Sequence, residues 1–231
     1  MDAETLQRNL RQVRERIARA AERAGRDPAE ITLVAVTKTV PVEVIRLAYD
    51  LGLRDFGENR VEEALPKART LPPDIRWHCI GHVQRRKARL AVELSHLVHS
   101  VDSVRLAQRL QRFCEELGRD LPILLEVNLS GEGTKYGFQP EEVDAAVPEI
   151  AACSRLRVQG LMTIAPLVAD PEEARPCFRA LRMLRDRLAA QYPDLDWQHL
   201  SMGMTGDFEV AVEEGATLVR IGQALFGPRP A

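Results

Sequence analysis

The chain has 231 residues, 45% of them hydrophobic, 29% charged and only 5% aromatic, with a formal net charge of −2. That length allows one large domain or two small ones, with a core of native size. The near balance of charge argues against a protein that lives mainly on nucleic acid or on an acidic membrane.

Residues 2–24 open with a helix, in which Leu6, Leu10, Val13 and Ile17 form one apolar stripe among arginines and glutamates. A repeating pattern follows. Apolar, β-branched runs at 31–37, 54–58, 75–80, 97–101, 121–127, 157–164, 196–201 and 217–221 read as strands. Amphipathic helical segments separate most of them. In the clearest, 103–117, Leu106, Leu110, Phe113, Cys114 and Leu117 share a face, Asp102 stands where an N-cap belongs and Gly118 follows the end. Another spans 171–191, with Phe178, Leu181, Leu184 and Leu188 turned inward, and Pro41 suits the first turn of the helix after strand one.

Strands alternating with helices imply parallel pairing through right-handed crossovers. Eight such units behind a leading helix predict a single (β/α)8 TIM barrel covering 1–231, with roughly 26 residues per unit, near the lower limit for that fold. The alternative, a doubly wound open sheet, lacks the Gly-x-Gly-x-x-Gly fingerprint after strand one. No linker, low-complexity tract or break in composition suggests a second domain.

Cys79, Cys114, Cys153 and Cys177 are scattered without metal-ligand spacing, so they read as reduced structural thiols and point to a cytoplasmic location. The N-terminus has no apolar signal region, and no stretch reaches membrane-spanning length. The basic run Arg85-Arg86-Lys87 with Arg89 reads as the solvated start of a helix, although it could draw an anion.

In such barrels the working residues stand at the C-terminal ends of the strands. Those positions hold Lys38, Glu58, Asn59, His82, Gln84, Asp102, Asn128, Ser130, Thr163, Ser201, Arg220 and Gly222. Lys38 follows a buried strand directly. It is either a snorkelling side chain or an amine that partial desolvation readies for Schiff-base formation with a carbonyl. The loops after strands seven and eight, Leu200-Ser-Met-Gly-Met-Thr-Gly-Asp207 and Val219-Arg-Ile-Gly222-Gln-Ala-Leu-Phe-Gly227, stand where barrels often bind phosphate. An amine and a phosphate cradle facing one cavity suit pyridoxal 5'-phosphate (PLP), but equally a Schiff-base aldolase acting on a phosphosugar.

Seven short motifs in order connect the chain to a known family. They are Val36-Thr-Lys-Thr39, Phe56-Gly-Glu-Asn59 with Glu62-Glu63, and Trp77-His78-Cys-Ile-Gly81 with Gln84 and Lys87. Val127-Asn-Leu-Ser130, Gly160-Leu-Met-Thr163, Leu200-Ser-Met-Gly-Met204 with Asp207, and Val219-Arg-Ile-Gly222 before Phe226-Gly227 complete the set. Over nearly its whole length the chain resembles the pyridoxal phosphate homeostasis proteins, which are similar to the N-terminal barrel of alanine racemases. The resemblance implies that Lys38 carries PLP as a Schiff base. It further implies that Ser201 and the amides around Gly222 and Gln223 hold the phosphate, that Arg220 faces the pyridine nitrogen, and that Asn59 belongs to the same cofactor-binding set. Arg60, where the family commonly has an aromatic, and His82 are departures at the rim.

An arginine stays protonated and so disfavours a protonated pyridine ring, which weakens PLP as an electron sink. A racemase with that arginine relies on two placed bases, one from a second domain that is not expected here. Of Tyr49, Tyr136 and Tyr192, only Tyr136 is expected near the mouth. The expected role is therefore a non-catalytic, monomeric PLP carrier in vitamin B6 homeostasis, with apo-forms of PLP enzymes as possible recipients and no nucleic-acid or membrane partner. A PLP-dependent amino-acid racemase is the alternative. Lys135, in a loop with three glycines, is a candidate second Schiff-base partner during release.

Overall fold

The computed structural model describes residues 1–130 and 136–228. Helix α1 (Ala3–Arg23) leads. Then come β1 (Thr32–Val36), α2 (Val42–Asp50), β2 (Asp55–Glu58), α3 (Val61–Thr70), β3 (Arg76–Cys79) and α4 (Ala88–Leu94). The middle of the chain supplies β4 (Leu97–Val101), α5 (Val104–Leu117), β5 (Leu121–Glu126), α6 (Val143–Ala151) and β6 (Leu156–Met162). Helix α7 (Arg175–Gln191), β7 (His199–Ser201), α8 (Phe208–Glu213), β8 (Leu218–Ile221) and the short α9 (Gln223–Phe226) complete it.

The eight strands pair in parallel and in chain order, and β8 closes on β1 with Leu218 to Ile221 opposite Thr32 to Ala35. The fold is the expected eight-stranded barrel with a leading helix. Closure removes both sheet edges, which an open doubly wound sheet would leave exposed. Helix α1 packs on the side where the chain ends. Asn9 Nδ2 donates to the Leu225 carbonyl, and Arg16 pairs with Glu209 while lying over the Phe208 ring.

Most strands are shorter than the apolar runs, while β4 matches its run. Residues 196–198 lie outside β7, because Asp196 accepts from the Gln198 amide and Trp197 Nε1 donates back to the Tyr192 carbonyl, so side chains capture the backbone before the ladder begins. The N-cap of α5 also differs from expectation. Ser103 Oγ accepts from the Leu106 amide, while the Asp102 carboxylate turns instead to His82 Nδ1 at 2.8 Å. Gly118 ends that helix in the left-handed region, at φ 64°.

Two apolar layers result. A large one lies between sheet and helices, and a small one inside the barrel joins Val34, Leu97, Leu124, Met162 and Leu218. Side chains alternate along a strand, so two residues further along, the inward positions become His99, Glu126 and Arg220. The barrel interior thus turns polar toward its C-terminal end. All four cysteines are buried and none forms a disulfide. Among the described residues no helix is long and apolar enough to cross a membrane, and no cluster of His, Cys, Asp and Glu could hold a metal ion.

Candidate functional site

Strand β1 ends at Val36, and the Thr37 amide still donates to the Gly57 carbonyl (2.9 Å), which fixes the chain just before Lys38. A buried collar tightens this point. Glu58 Oε1 accepts from Thr37 Oγ1 (2.8 Å) and from Lys67 Nζ (2.7 Å), and Lys67 also donates to the Thr37 carbonyl (2.8 Å). Directly after Lys38, Thr39 has φ 65°, the only described non-glycine residue in the left-handed region. A β-branched residue there costs about 1–3 kcal/mol, which the surrounding contacts must offset. Lys67 was not legible as part of the site, since its helix offers no motif that separates it from a solvated lysine.

Lys38 is half-buried and lines a cavity of about 240 Å³ together with Val36, Gly222 and Gln223. Two of the regions singled out in the sequence, the end of strand one and the turn after strand eight, therefore meet at one opening. Gly222 caps α9, its carbonyl accepting from the Leu225 and Phe226 amides. A side chain at Gly222 would only touch Val36 at 3.5 Å, an ordinary contact, so close approach does not by itself demand glycine there. Gly203 is different. With φ 92° and a Cβ that would fall 2.6 Å from that of Ala211, it admits no other residue without a shift.

The loop around Gly203 is held from several sides. The Gly203 carbonyl accepts from the Arg220 amide, and Asp207 Oδ1 accepts from the Met204 amide at 2.6 Å. Asp207 is thus the clamp of the loop, with no side-chain cap on the helix that follows. Its carboxyl is pushed upward by burial, against the pull of that amide and of Arg220. Thr205 Oγ1 accepts from the Ala224 amide (3.3 Å), so this hydroxyl, rather than that of Ser201, stands against the first turn of α9.

Ser201 and Arg220 lie deeper, inside the barrel. Arg220 pairs in register with Val34 and is almost fully buried. Its Nη1 donates to Ser201 Oγ (2.6 Å) and its Nη2 to the Thr163 carbonyl (2.9 Å), while His99 Nδ1 stands 2.8 Å from the same serine oxygen. The Ser201 hydroxyl is accordingly engaged by side chains of the interior. Burial pushes the Arg220 guanidinium down to about 10, opposed by Glu126 and Asp207, and it remains a cation at neutral pH.

Glu126 faces this cation. Its carboxyl is buried, with Oε2 lacking any hydrogen-bond partner, and it is pushed up to about 7 by burial and by Asp102, with Arg220 opposing. Nothing in the apolar run of strand five marked it in advance, although a carboxylate closing such a run is itself an unusual residue. Asn59 is placed elsewhere, in a neighbouring cleft of about 80 Å³ with Glu62, His82 and Lys87. Its backbone presses on Gly81, where a Cβ would fall 2.3 Å from the Asn59 carbonyl oxygen. Tyr136 is exposed at the rim, stacked on His82 with ring centroids 3.8 Å apart. Tyr49 and Tyr192 are tied to Asp74 and to the Asp144 carbonyl on the outer layer, away from the mouth. Lys135 lies outside the described residues.

The family model for the alanine racemase N-terminal domain matches residues 2–230. The pyridoxal phosphate homeostasis protein of Aquifex aeolicus is 46% identical over 223 residues, covering 95% of this chain and 96% of its own. The chain belongs to the pyridoxal phosphate homeostasis protein family. A second member, from Pseudomonas aeruginosa, is 43% identical over 229 residues, covering 97% of this chain and 96% of its own. Among solved structures, PipY of Synechococcus elongatus PCC7942 with PLP bound superposes with a TM-score of 0.80 at 40% identity, over 91% of this chain and all of that one. That relative places PLP in a fold of the same kind.

Proposed function

We propose that the protein binds PLP with Lys38 as its covalent anchor and acts in PLP homeostasis, holding the cofactor and handing it to apo-enzymes. The observation that carries this reading is one cavity lined by an amine, Lys38, and by the turn at Gly222 and Gln223, with the buried cation Arg220 two residues before that turn. The residue types fit the group. An aldehyde suits the amine, and a phosphate suits the amides of Gly222 and Gln223 together with the Thr205 hydroxyl. An orphaned carboxyl oxygen on Glu126 marks a polar interior without internal partners for all its groups. When bound, PLP supplies an aldehyde that condenses with amines and a ring that can store negative charge.

The residues here are arranged to hold more than to catalyse. Arg220, with two of its nitrogens anchored, keeps its hydrogens and opposes protonation of a pyridine nitrogen set against it. Tyr136, stacked on His82 at the rim, is not among the residues lining the Lys38 cavity. Ser201 supports the arginine, and Asn59 shapes the adjoining rim.

Two measurements test the proposal. Purified protein given PLP should turn yellow, and borohydride should fix the label on Lys38, while Lys38→Ala should lose both absorbance and label. Label retained on another lysine in that variant would refute the assignment. Sustained conversion of L-alanine or another amino acid to its D-form would favour the racemase reading over a carrier.

A further inference from the structure

The barrel interior contains an unbroken run of buried polar contacts from its mouth toward its base. It continues from Arg220 and Ser201 into the two histidines. His99 Nδ1 is 2.8 Å from Ser201 Oγ, and His99 Nε2 is 2.9 Å from His78 Nδ1. His78 Nε2 then stands 2.9 Å from Asp55 Oδ1, which also accepts from Arg76 Nε at 2.7 Å. Five strands contribute one member each, and Asp55 is the first residue of β2, at the end of the barrel remote from Lys38.

Counting donors and acceptors fixes the direction of this run. Arginine can only donate, and an ionised carboxylate can only accept. Asp55 is ionised: burial alone would raise its carboxyl, but the hydrogen bonds from Arg76 and His78 outweigh that and hold it well below the usual range. His99 is neutral, because full burial drives its ring well below the ordinary histidine value, helped by the nearby Arg220 cation. Between a donor-only and an acceptor-only end, each of the three middle groups then receives one hydrogen and passes one on. Ser201 donates to His99 Nδ1, His99 carries its hydrogen on Nε2, and so does His78. A second hydrogen on either ring would turn two donors toward each other, or strip the buried serine hydroxyl of its acceptor.

We propose that Asp55, His78 and His99 form a positioning chain that, through the Ser201 hydroxyl, fixes the guanidinium of Arg220 inside the barrel, below its mouth. The serine oxygen is left with its lone pairs facing Nη1, while its hydrogen is committed to His99 Nδ1. With Nη2 on the Thr163 carbonyl, the plane of Arg220 is then set by contacts to two strands. This deepens the PLP reading, on which its consequence for the cofactor rests: the chain is what keeps the arginine aimed at the pyridine nitrogen.

The test begins on apo protein labelled with nitrogen-15 in histidine. Ring-nitrogen NMR at neutral pH should show His78 and His99 both as neutral Nε2–H tautomers. An Nδ1–H tautomer or a charged ring at either position would overturn the chain, and this requires no variant to fold. His78→Leu removes the acceptor that fixes His99, whereas His78→Asn keeps a carbonyl oxygen near the place of Nδ1. In His78→Leu, His99 should populate both tautomers, the pyridine nitrogen-15 shift of labelled, bound PLP should move, and PLP affinity should fall about tenfold, as expected when a charge-assisted hydrogen bond is loosened. His78→Asn should stay within about twofold of wild type in affinity and keep the wild-type pyridine shift. An unchanged pyridine shift in His78→Leu, or equal losses in both variants, would show a merely structural role and overturn the proposal. A wild-type protein that takes up no PLP would sink the PLP reading alone, and the chain would then stand or fall on the apo tautomers.

Discussion

Glu126→Gln should make the apo protein more stable at and above neutral pH, which is unusual for the loss of a buried charged residue. The Glu126 carboxyl sits at about 7 in the fold against 4.5 for an ordinary glutamate, because burial and Asp102 disfavour its charge more than Arg220 favours it. The sign follows from proton uptake. Where a folded carboxyl holds its proton more tightly than the unfolded one, the advantage is present below about 4.5 and is lost as the pH rises through about 7. A shift of that size corresponds to about 3 kcal/mol once both states are ionised. Glutamine carries no charge to desolvate, but its amide leaves an N–H poorly paired, at a cost of about 1 kcal/mol. The variant should therefore exceed wild type by about 2 kcal/mol at about pH 8, and this gain should shrink away or reverse toward pH 5. Denaturant unfolding of both proteins across that range measures it, and thermal midpoints should separate by roughly 4–8 °C at the alkaline end. A stability difference that stays constant between those two pH values, or a variant weaker than wild type at pH 8, would refute the argument.

Gly203→Ala forces a methyl group into contact with Ala211 at a φ that alanine tolerates poorly, so it should cost about 2 kcal/mol or more and weaken PLP uptake with it. Unfolding curves and a PLP absorbance titration check both effects. Glu214 is held at about 2 in the fold: burial would raise it, but the hydrogen bonds from Arg179, Arg182 and Arg175 more than reverse that. Its contribution should be present above about 4.5 and lost as the pH falls toward about 2. Because Arg179 is exposed and Arg182 partly so, Glu214→Gln should cost only about 1–2 kcal/mol at neutral pH, with the difference closing near pH 2. Unfolding measured at neutral pH and near pH 3 checks the direction.

The sequence by itself determined the architecture. Eight apolar runs spaced by amphipathic helices leave few ways to bury both faces of every strand, and a closed parallel barrel is the one the chain adopts. Lys38, Gly222 and Gln223 were legible for the same reason, because strand ends in such a barrel must converge on one opening. Side-chain direction was not legible. Whether Ser201 reaches outward or inward depends on a single step of strand alternation and on which partners wait inside. Only the closed barrel brings His99 from one strand and Arg220 from another to the same hydroxyl. Asp55 is not singled out by any sequence pattern, His78 stands out only as part of the Trp77–Gly81 motif, and Glu126 only ends an apolar run. Their roles exist only across strands far apart in the chain, where burial turns isolated polar residues into obligate partners.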